Sequence, residues 1–512
     1  MHRIFRSTAA LACALGVAAA FVVLPASARH GEPPYSLANP AKAGVDVPIE
    51  DAGAVDAAQL RRDADRMQGT HGVRDKRQKV AASNRVSITP DAQGRWDTLD
   101  DGSRLWRVRV RTTGATDLRL AFAHFALPRG ATLYLIGAHD FYQGPYTSAD
   151  ALDGTFHSAV VPGDTATVEL RVPPRASVGA AQLEISRVGA GFRDLFKRSK
   201  AVSDVGDSGA CNINVACPLG QPYPNEIRAV GHYEFDADDG SGTYICTGTL
   251  VADVPHDRRN WFLTAHHCMS TASEPQSMVV YWNYQSTQCG SNVAPSGGYF
   301  NDDQHGATLR ATRADTDFTL VELAGTPDTD WNLYYAGWDA SGNAPGGTIG
   351  IHHPSGDVKK VTAGPRPTTM DGCISSTNGS STHWHAGPYS QGTTEGGSSG
   401  SGLFSAAGSL SPDRRLIGTL SGGSALCSDV SPSQPNNGYD CYGKLSVGWT
   451  GSSAAARLRD WLDPDNTGAT ATAGIDQNAA TSTDTRGHST HALPEILRNL
   501  PPPNSGAHRS VR

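Results

Sequence analysis

All but one of the nine cysteines lie between Cys211 and Cys441, and none falls between Arg29 and Ala210. This asymmetry divides the 512-residue chain into two regions with different requirements for stability. The exception, Cys13, sits in an apolar run from about Ala9 to Leu24 that follows His2, Arg3 and Arg6 and precedes Ala26-Ser27-Ala28. A basic start, a run shorter than the roughly 20 residues of a membrane span, and small residues at its end predict a signal peptide over 1–28. The remaining eight cysteines of an exported chain are most simply four disulfides, whose pairing spacing alone leaves open.

No later segment is apolar enough to span a bilayer. A formal charge of −7 asks for neither a nucleic-acid nor an anionic-membrane partner, and a monomer is expected. Fifty-six glycines against 13 phenylalanines point to short strands and many turns.

From Val55 to about Lys79 the sequence is polar and helix-permissive, and it reads as a loose amphipathic helix anchored by Leu60 and Met67. Between Arg95 and Val188, runs such as Leu105-Trp106-Arg107-Val108-Arg109-Val110 alternate with Gly and Pro punctuation, as in a β-sandwich. Lys197-Arg198-Ser199-Lys200 then opens a cleavable linker. From Cys211 to about Asp463 short strands alternate with Gly, Ser and Asn turns, which fits two successive β-barrels. Ser452 or Ser453 can cap a last helix, Ala454 to Leu462, with Leu458, Trp461 and Leu462 on its apolar face. The Ser, Thr, Pro and Arg-rich end beyond Asp476 lacks a core pattern and is expected to be a disordered tail, 477–512.

Three segments carry chemistry. In Glu395-Gly396-Gly397-Ser398-Ser399-Gly400 a Gly-x-Ser-Gly turn exposes one hydroxyl, Ser399, and lets backbone NH groups converge beside it. Trp261 to Cys268 is an apolar strand running into His266-His267-Cys268, and a serine hydroxyl becomes a good nucleophile only when an adjacent imidazole takes its proton. Asp317 opens the apolar run Phe318 to Leu323, where a strand end can orient that imidazole; Asp315 is the competitor. The order His, Asp, Ser is that of chymotrypsin-like enzymes. Gly397 and Ser399 supply the expected oxyanion hole.

With these segments, Cys211-Asn212-Ile213, Cys246-Thr247-Gly248-Thr249-Leu250, Val280-Tyr281-Trp282-Asn283-Tyr284 and Ile351-His352-His353-Pro354 make the region resemble the bacterial lysyl endopeptidases, trypsin-like secreted enzymes made with a long propeptide. The resemblance implies an all-β fold, a two-barrel chymotrypsin-like protease domain (201–476) with a C-terminal helix, preceded by a β-sandwich-like propeptide (29–200). It implies a secreted serine endopeptidase acting on proteins and peptides after basic residues through an acyl-enzyme. His267, Asp317 and Ser399 are its triad, and the propeptide is a folding aid or inhibitor. It also implies the bridges Cys211–Cys427, Cys217–Cys289 and Cys246–Cys268, which leave Cys373–Cys441 as a fourth.

Trypsins carry an aspartate six residues before the nucleophile, where this chain has Thr393. In the resemblance Asp440 takes that role, with Ser421, Gly422 and Thr393 around the substrate. Ser421 stands where those enzymes have a histidine, and Cys373 falls about where they have a stacking tryptophan, so Lys is expected before the cut bond with Arg as the alternative. Ser398 replaces the aspartate that in digestive trypsins captures a new N-terminus. A protease-like binding protein is the non-enzymatic alternative.

His352-His353 and His383-Trp384-His385 lack a His-Glu-x-x-His or paired Cys-x-x-Cys partner, so no metal or other cofactor is expected, and these histidines are assigned to loops or barrel surfaces. Asp236 to Gly240 is assigned to a hairpin tip rather than a calcium loop. Cleavage after Lys200, by the enzyme itself, is expected to free Ala201, with Arg198 as the nearby alternative.

Overall fold

A computed structural model of the chain describes residues 32–40, 47–68, 72–194, 208–290, 302–374, 381–408, 414–428, 430–431 and 433–479. The expected signal peptide, linker residues 197–201 and the tail beyond 479 lie outside the described residues. No helix among the described residues is long and apolar enough to cross a membrane.

The fold is all-β, with a sandwich ahead of two barrels. In the first sheet of the sandwich, strand Arg104–Thr113 lies between Ile49–Ala54 and Thr165–Val172. The second runs through Asp117–Ala126, Gln182–Gly191 and Gln78–Ile88. Trp106, Val108 and Leu170 of one meet Leu120, Phe122 and Ile185 of the other in a single core, which is what the period-2 apolar pattern demands.

The helix at the start is shorter than the sequence suggests. It spans Ala57–Gln68, and the Asp56 carboxylate accepts the Gln59 NH at its first turn. Ala64 is its buried residue, whereas Met67, expected as an anchor, is 73% exposed. The chain beyond it becomes strands Arg74–Asp75 and Gln78–Ile88.

The first barrel threads Val230–Asp236, Thr243–Leu250, Trp261–Thr264 and Phe318–Leu323 in antiparallel order around Tyr233, Phe262, Val280 and Val321. In the second, Gly347–His352, Gly402–Ser405, Leu416–Gly423 and Asp440–Lys444 are successive neighbours. Trp261, Leu320, Ile351, Phe404 and Leu416 form the core between the barrels. The last helix is broken. A 3-10 turn, Ala454–Ala456, and a short helix, Arg459–Leu462, replace the expected continuous one, and Ser453 makes no side-chain cap bond. Leu458 and Leu462 are nevertheless buried, so the apolar face is as read. All four expected cysteine pairs are bridged.

Candidate active site

His267 follows the strand Trp261–Thr264, and Asp317 immediately precedes Phe318–Leu323, its antiparallel partner, so sheet register brings the two together. His267 Nδ1 lies 2.8 Å from Asp317 Oδ2, and the His267 NH donates to Oδ1 at 2.9 Å. On the other side Nε2 lies 2.6 Å from Ser399 Oγ. With Nδ1–H donated to the carboxylate, Nε2 is left to accept the serine proton. Burial alone would lower the His267 pKa, but the charge and hydrogen bond of Asp317 outweigh it and hold the imidazole above its usual value. Burial likewise pushes Asp317 upward, and His267 brings it below the usual carboxylate range. Asp317 has φ 49, a left-handed conformation that a sequence does not announce. Asp315 is 41% exposed and pairs with Arg313, away from the imidazole.

Residues 74–81 run extended through the cleft between the barrels. Arg74 and Asp75 pair antiparallel with Gly423 and Gly422; beyond Arg77, Gln78 and Lys79 pair with Ile245 and Tyr244. One segment thus adds an edge to a strand of each barrel. A Cβ on Gly422 would fall 2.0 Å from the Arg74 carbonyl oxygen, so only glycine admits this approach.

At the centre lies Lys76. Its NH donates to Ser399 Oγ at 2.8 Å, and its carbonyl oxygen accepts the Gly397 NH. Gly397 has φ 93, and a Cβ there would come within 2.8 Å of the His353 carbonyl oxygen, so this turn also requires glycine. The Lys76 ammonium lies 2.7 Å from Asp440 Oδ1 and donates to the carbonyl oxygens of Ala425 (2.9 Å) and Thr394 (3.2 Å) and to the Thr394 hydroxyl. Asp440 Oδ2 accepts from Tyr389 at 2.9 Å and Thr394 at 2.5 Å. Both charges are buried, so each depends on this complete set of partners. Burial lowers the Lys76 pKa while Asp440 works against that shift, and burial first, then Asp440, drives the Tyr389 phenol upward. The Cys373–Cys441 bridge ties the strand next to Asp440 to the preceding loop.

The other expected site residues distribute differently. Gly422 faces the docked segment, as described. Ser421 turns instead toward Asp317, where its hydroxyl helps hold that carboxyl low and lies 3.1 Å from His383 Nε2. Thr393 is buried, and its hydroxyl has no partner among the described residues; its neighbour Thr394 meets the ammonium. Ser398 is hydrogen-bonded to His352 Nδ1 at 2.8 Å. His352 and His353 are fully buried rather than on a loop or surface: His352 ends the strand Gly347–His352, and the His353 ring stacks on Tyr284 and packs near His232. His383 is also buried, while His385 stacks on Tyr439. Among the described residues no group of three or more His, Cys, Asp or Glu side chains could hold a metal ion. Thr394, Tyr389, Ala425 and Lys76 were not singled out by sequence; a Thr-Thr pair and a Lys-Arg pair were their only local signals.

Two β-barrels with this cleft between them define a trypsin-like serine endopeptidase. Residues 205–443 match the family described as "Lysyl endopeptidase, C-terminal domain", and residues 51–189 match "Lysyl endopeptidase N-terminal domain". A lysyl endopeptidase of Pseudomonas aeruginosa PAO1 is 31% identical over 356 residues, covering 67% of this chain and 74% of that one. The chain belongs to the lysyl endopeptidase family. Among solved structures, a protease from M. tuberculosis in its active form has a TM-score of 0.29 at 13% identity, covering 50% of this chain and 95% of its own. The HtrA-type protease AlgW with a decapeptide has a TM-score of 0.29 at 14% identity, covering 45% and 65%.

Proposed function

We propose that this serine endopeptidase is exported and cuts peptide bonds after lysine, using His267, Asp317 and Ser399. The observation that carries this reading is the docking of Lys76, whose ammonium meets Asp440 while its carbonyl oxygen meets the Gly397 NH beside Ser399. Ser399 Oγ attacks the carbonyl carbon as His267 Nε2 takes its proton, and Asp317 stabilises the imidazolium that forms. The Gly397 NH, with that of Ser399, holds the oxyanion; losing one such donor typically costs about a hundredfold to a thousandfold in rate. His267 then protonates the leaving amine, and water resolves the acyl-enzyme by the same steps in reverse.

Lysine suits the pocket better than arginine. An ammonium is a compact centre whose three protons match a carboxylate, a carbonyl and a hydroxyl converging from different sides; a guanidinium is planar and wider. The four disulfides and the leader-like start support export. Processed enzyme assayed on matched Lys and Arg peptides should favour Lys, and Asp440→Asn should lose that activity. Equal cleavage of both peptides would remove the lysine preference, and an unimpaired Asp440→Asn enzyme would remove Asp440 from the pocket. A processed chain that a fluorophosphonate fails to label at Ser399 would favour the binding-protein alternative.

A further inference from the structure

The segment 74–79 does more than fill a pocket. Its backbone is paired on both sides of Ser399, with Arg74 and Asp75 on the second barrel and Gln78 and Lys79 on the first. Between them Lys76 presents its carbonyl to the Gly397 NH, and Arg77 is fixed on the departing side. The Arg77 guanidinium lies 4.9 Å above the Tyr244 ring and donates to the His267 carbonyl oxygen at 3.0 Å. The Ser399 hydroxyl accepts from the Lys76 NH at 2.8 Å with His267 Nε2 2.6 Å from it, so this peptide bond is held within reach of the nucleophile and its base.

We propose that Lys76–Arg77 is a self-processing site, cut within the molecule by its own Ser399, and that the nicked chain stays in the cleft as an inhibitor. This inference rests on the lysine-directed peptidase reading above. The C–N bond of Lys76–Arg77 breaks, its acyl carbon passes to Ser399 Oγ, and the proton carried by His267 goes to the Arg77 nitrogen. Water then supplies a hydroxyl to the Lys76 acyl carbon and returns the proton to Ser399.

Neither new end is free to leave. Downstream, Gln78–Ile88 belongs to the sandwich sheet through Gln182–Gly191, and upstream, Ile49–Ala54 pairs with Arg104–Thr113. The helix between them is tied down by Arg193, whose guanidinium lies 2.7 Å from Asp65. The Arg77 amine therefore remains beside the acyl group, where it competes with water and re-forms the bond. Release of the enzyme needs a separate event that removes the sandwich.

The test uses the purified full chain, followed by intact mass and N-terminal sequencing, with fluorophosphonate labelling and hydrolysis of a lysyl ester measured alongside on the processed enzyme. A new N-terminus at Arg77 is expected, at a rate unchanged over a tenfold range of protein concentration, and absent from Ser399→Ala. In the nicked chain Ser399 should label at least tenfold more slowly than in the processed enzyme. Lys76→Gln should abolish the Arg77 end, and Lys76→Arg, which keeps the cation, should restore part of it. An intact Lys76–Arg77 bond in a chain whose processed form hydrolyses the lysyl ester overturns the inference and leaves the function standing. A cut whose rate rises with concentration, or a nicked chain that labels as fast as processed enzyme, also overturns it. A processed enzyme inert to both reagents overturns the function itself, and this inference with it.

Discussion

Arg119, on the sandwich, reaches into the first barrel and places its guanidinium 3.2 Å from Asp236 at the end of the hairpin strand Val230–Asp236. Asp236 also meets His157 Nδ1 at 3.1 Å and the Thr243 hydroxyl at 2.8 Å. Burial would raise its pKa, but Arg119 reverses that and holds the carboxyl well below the usual range. This pair fastens the N-terminal region to the barrel away from the cleft. Arg119→Ala leaves a buried carboxylate without its cation, which typically costs about 3–5 kcal/mol. In a Ser399→Ala full chain it should speed amide exchange across Gln78–Ile88 and Thr243–Leu250 together; exchange unchanged in both strands would show that the pair does not hold the interface.

With His267 as the base proposed above, its raised pKa should set the acid limb of activity. The imidazole must be neutral to act as base, so kcat/KM should rise as pH climbs through a pKa above the usual value near 6.5. Asp317→Asn removes the charge that opposes burial, so the limb should move to lower pH while kcat falls by about 10⁴-fold through the wrong tautomer. Asp315→Asn should leave both unchanged. An Asp317→Asn limb that stays in place or moves upward would contradict this account.

Thr394 touches both members of the buried pair. Thr394→Val keeps the shape but withdraws a hydroxyl from a buried charge, an effect of about 1.5–3 kcal/mol. That is about a tenfold to hundredfold loss in kcat/KM for lysyl peptides. Thr393→Val should change it little. Steady-state kinetics on one lysyl peptide decide between the two neighbours, and equal losses would deny Thr394 its special place.

Gly422 pairs with Asp75 of the docked backbone and leaves no room for a Cβ beside the Arg74 carbonyl oxygen. Gly422→Ala should raise KM for peptides that extend three or more residues upstream of the cut bond, as Arg74 does, while a single-residue lysyl ester, which never reaches Gly422, should be turned over nearly as before. Parallel losses on both would place the damage in the pocket rather than at this edge.

Much of this was legible. Catalytic candidates sit in short local patterns, a strand running into His-Cys, an aspartate at a strand start and a Gly-Ser turn, because chemistry there needs particular residues next to particular backbone shapes. Asp440 and three of the cysteine pairs came through resemblance rather than spacing, and Cys373–Cys441 was the pair left over. Residues 74–79 were illegible for a physical reason. Their sequence, Arg-Asp-Lys-Arg-Gln-Lys, has no strand pattern of its own, and its extended form exists only through pairing with Ile245 and Gly422, far along the chain. The same holds for His353, whose ring packs on His232 and Tyr284 from distant parts of the chain. The broken last helix shows a competing preference, with Leu458 and Leu462 docking into the core while Gly451 through Ser453 stay outside any regular turn.

The cleft holds residues 74–81 against two barrels at once. At a strand's rise of about 3.3 Å per residue, that stretch covers roughly 25 Å. If substrates dock as residues 74–81 do, as proposed above, a target must surrender that much of its own folding before its lysine reaches Asp440. On that reading, among proteins equally rich in lysine this geometry would select those already unfolding, and a target's resistance would be set by the stability of its loops more than by their sequence.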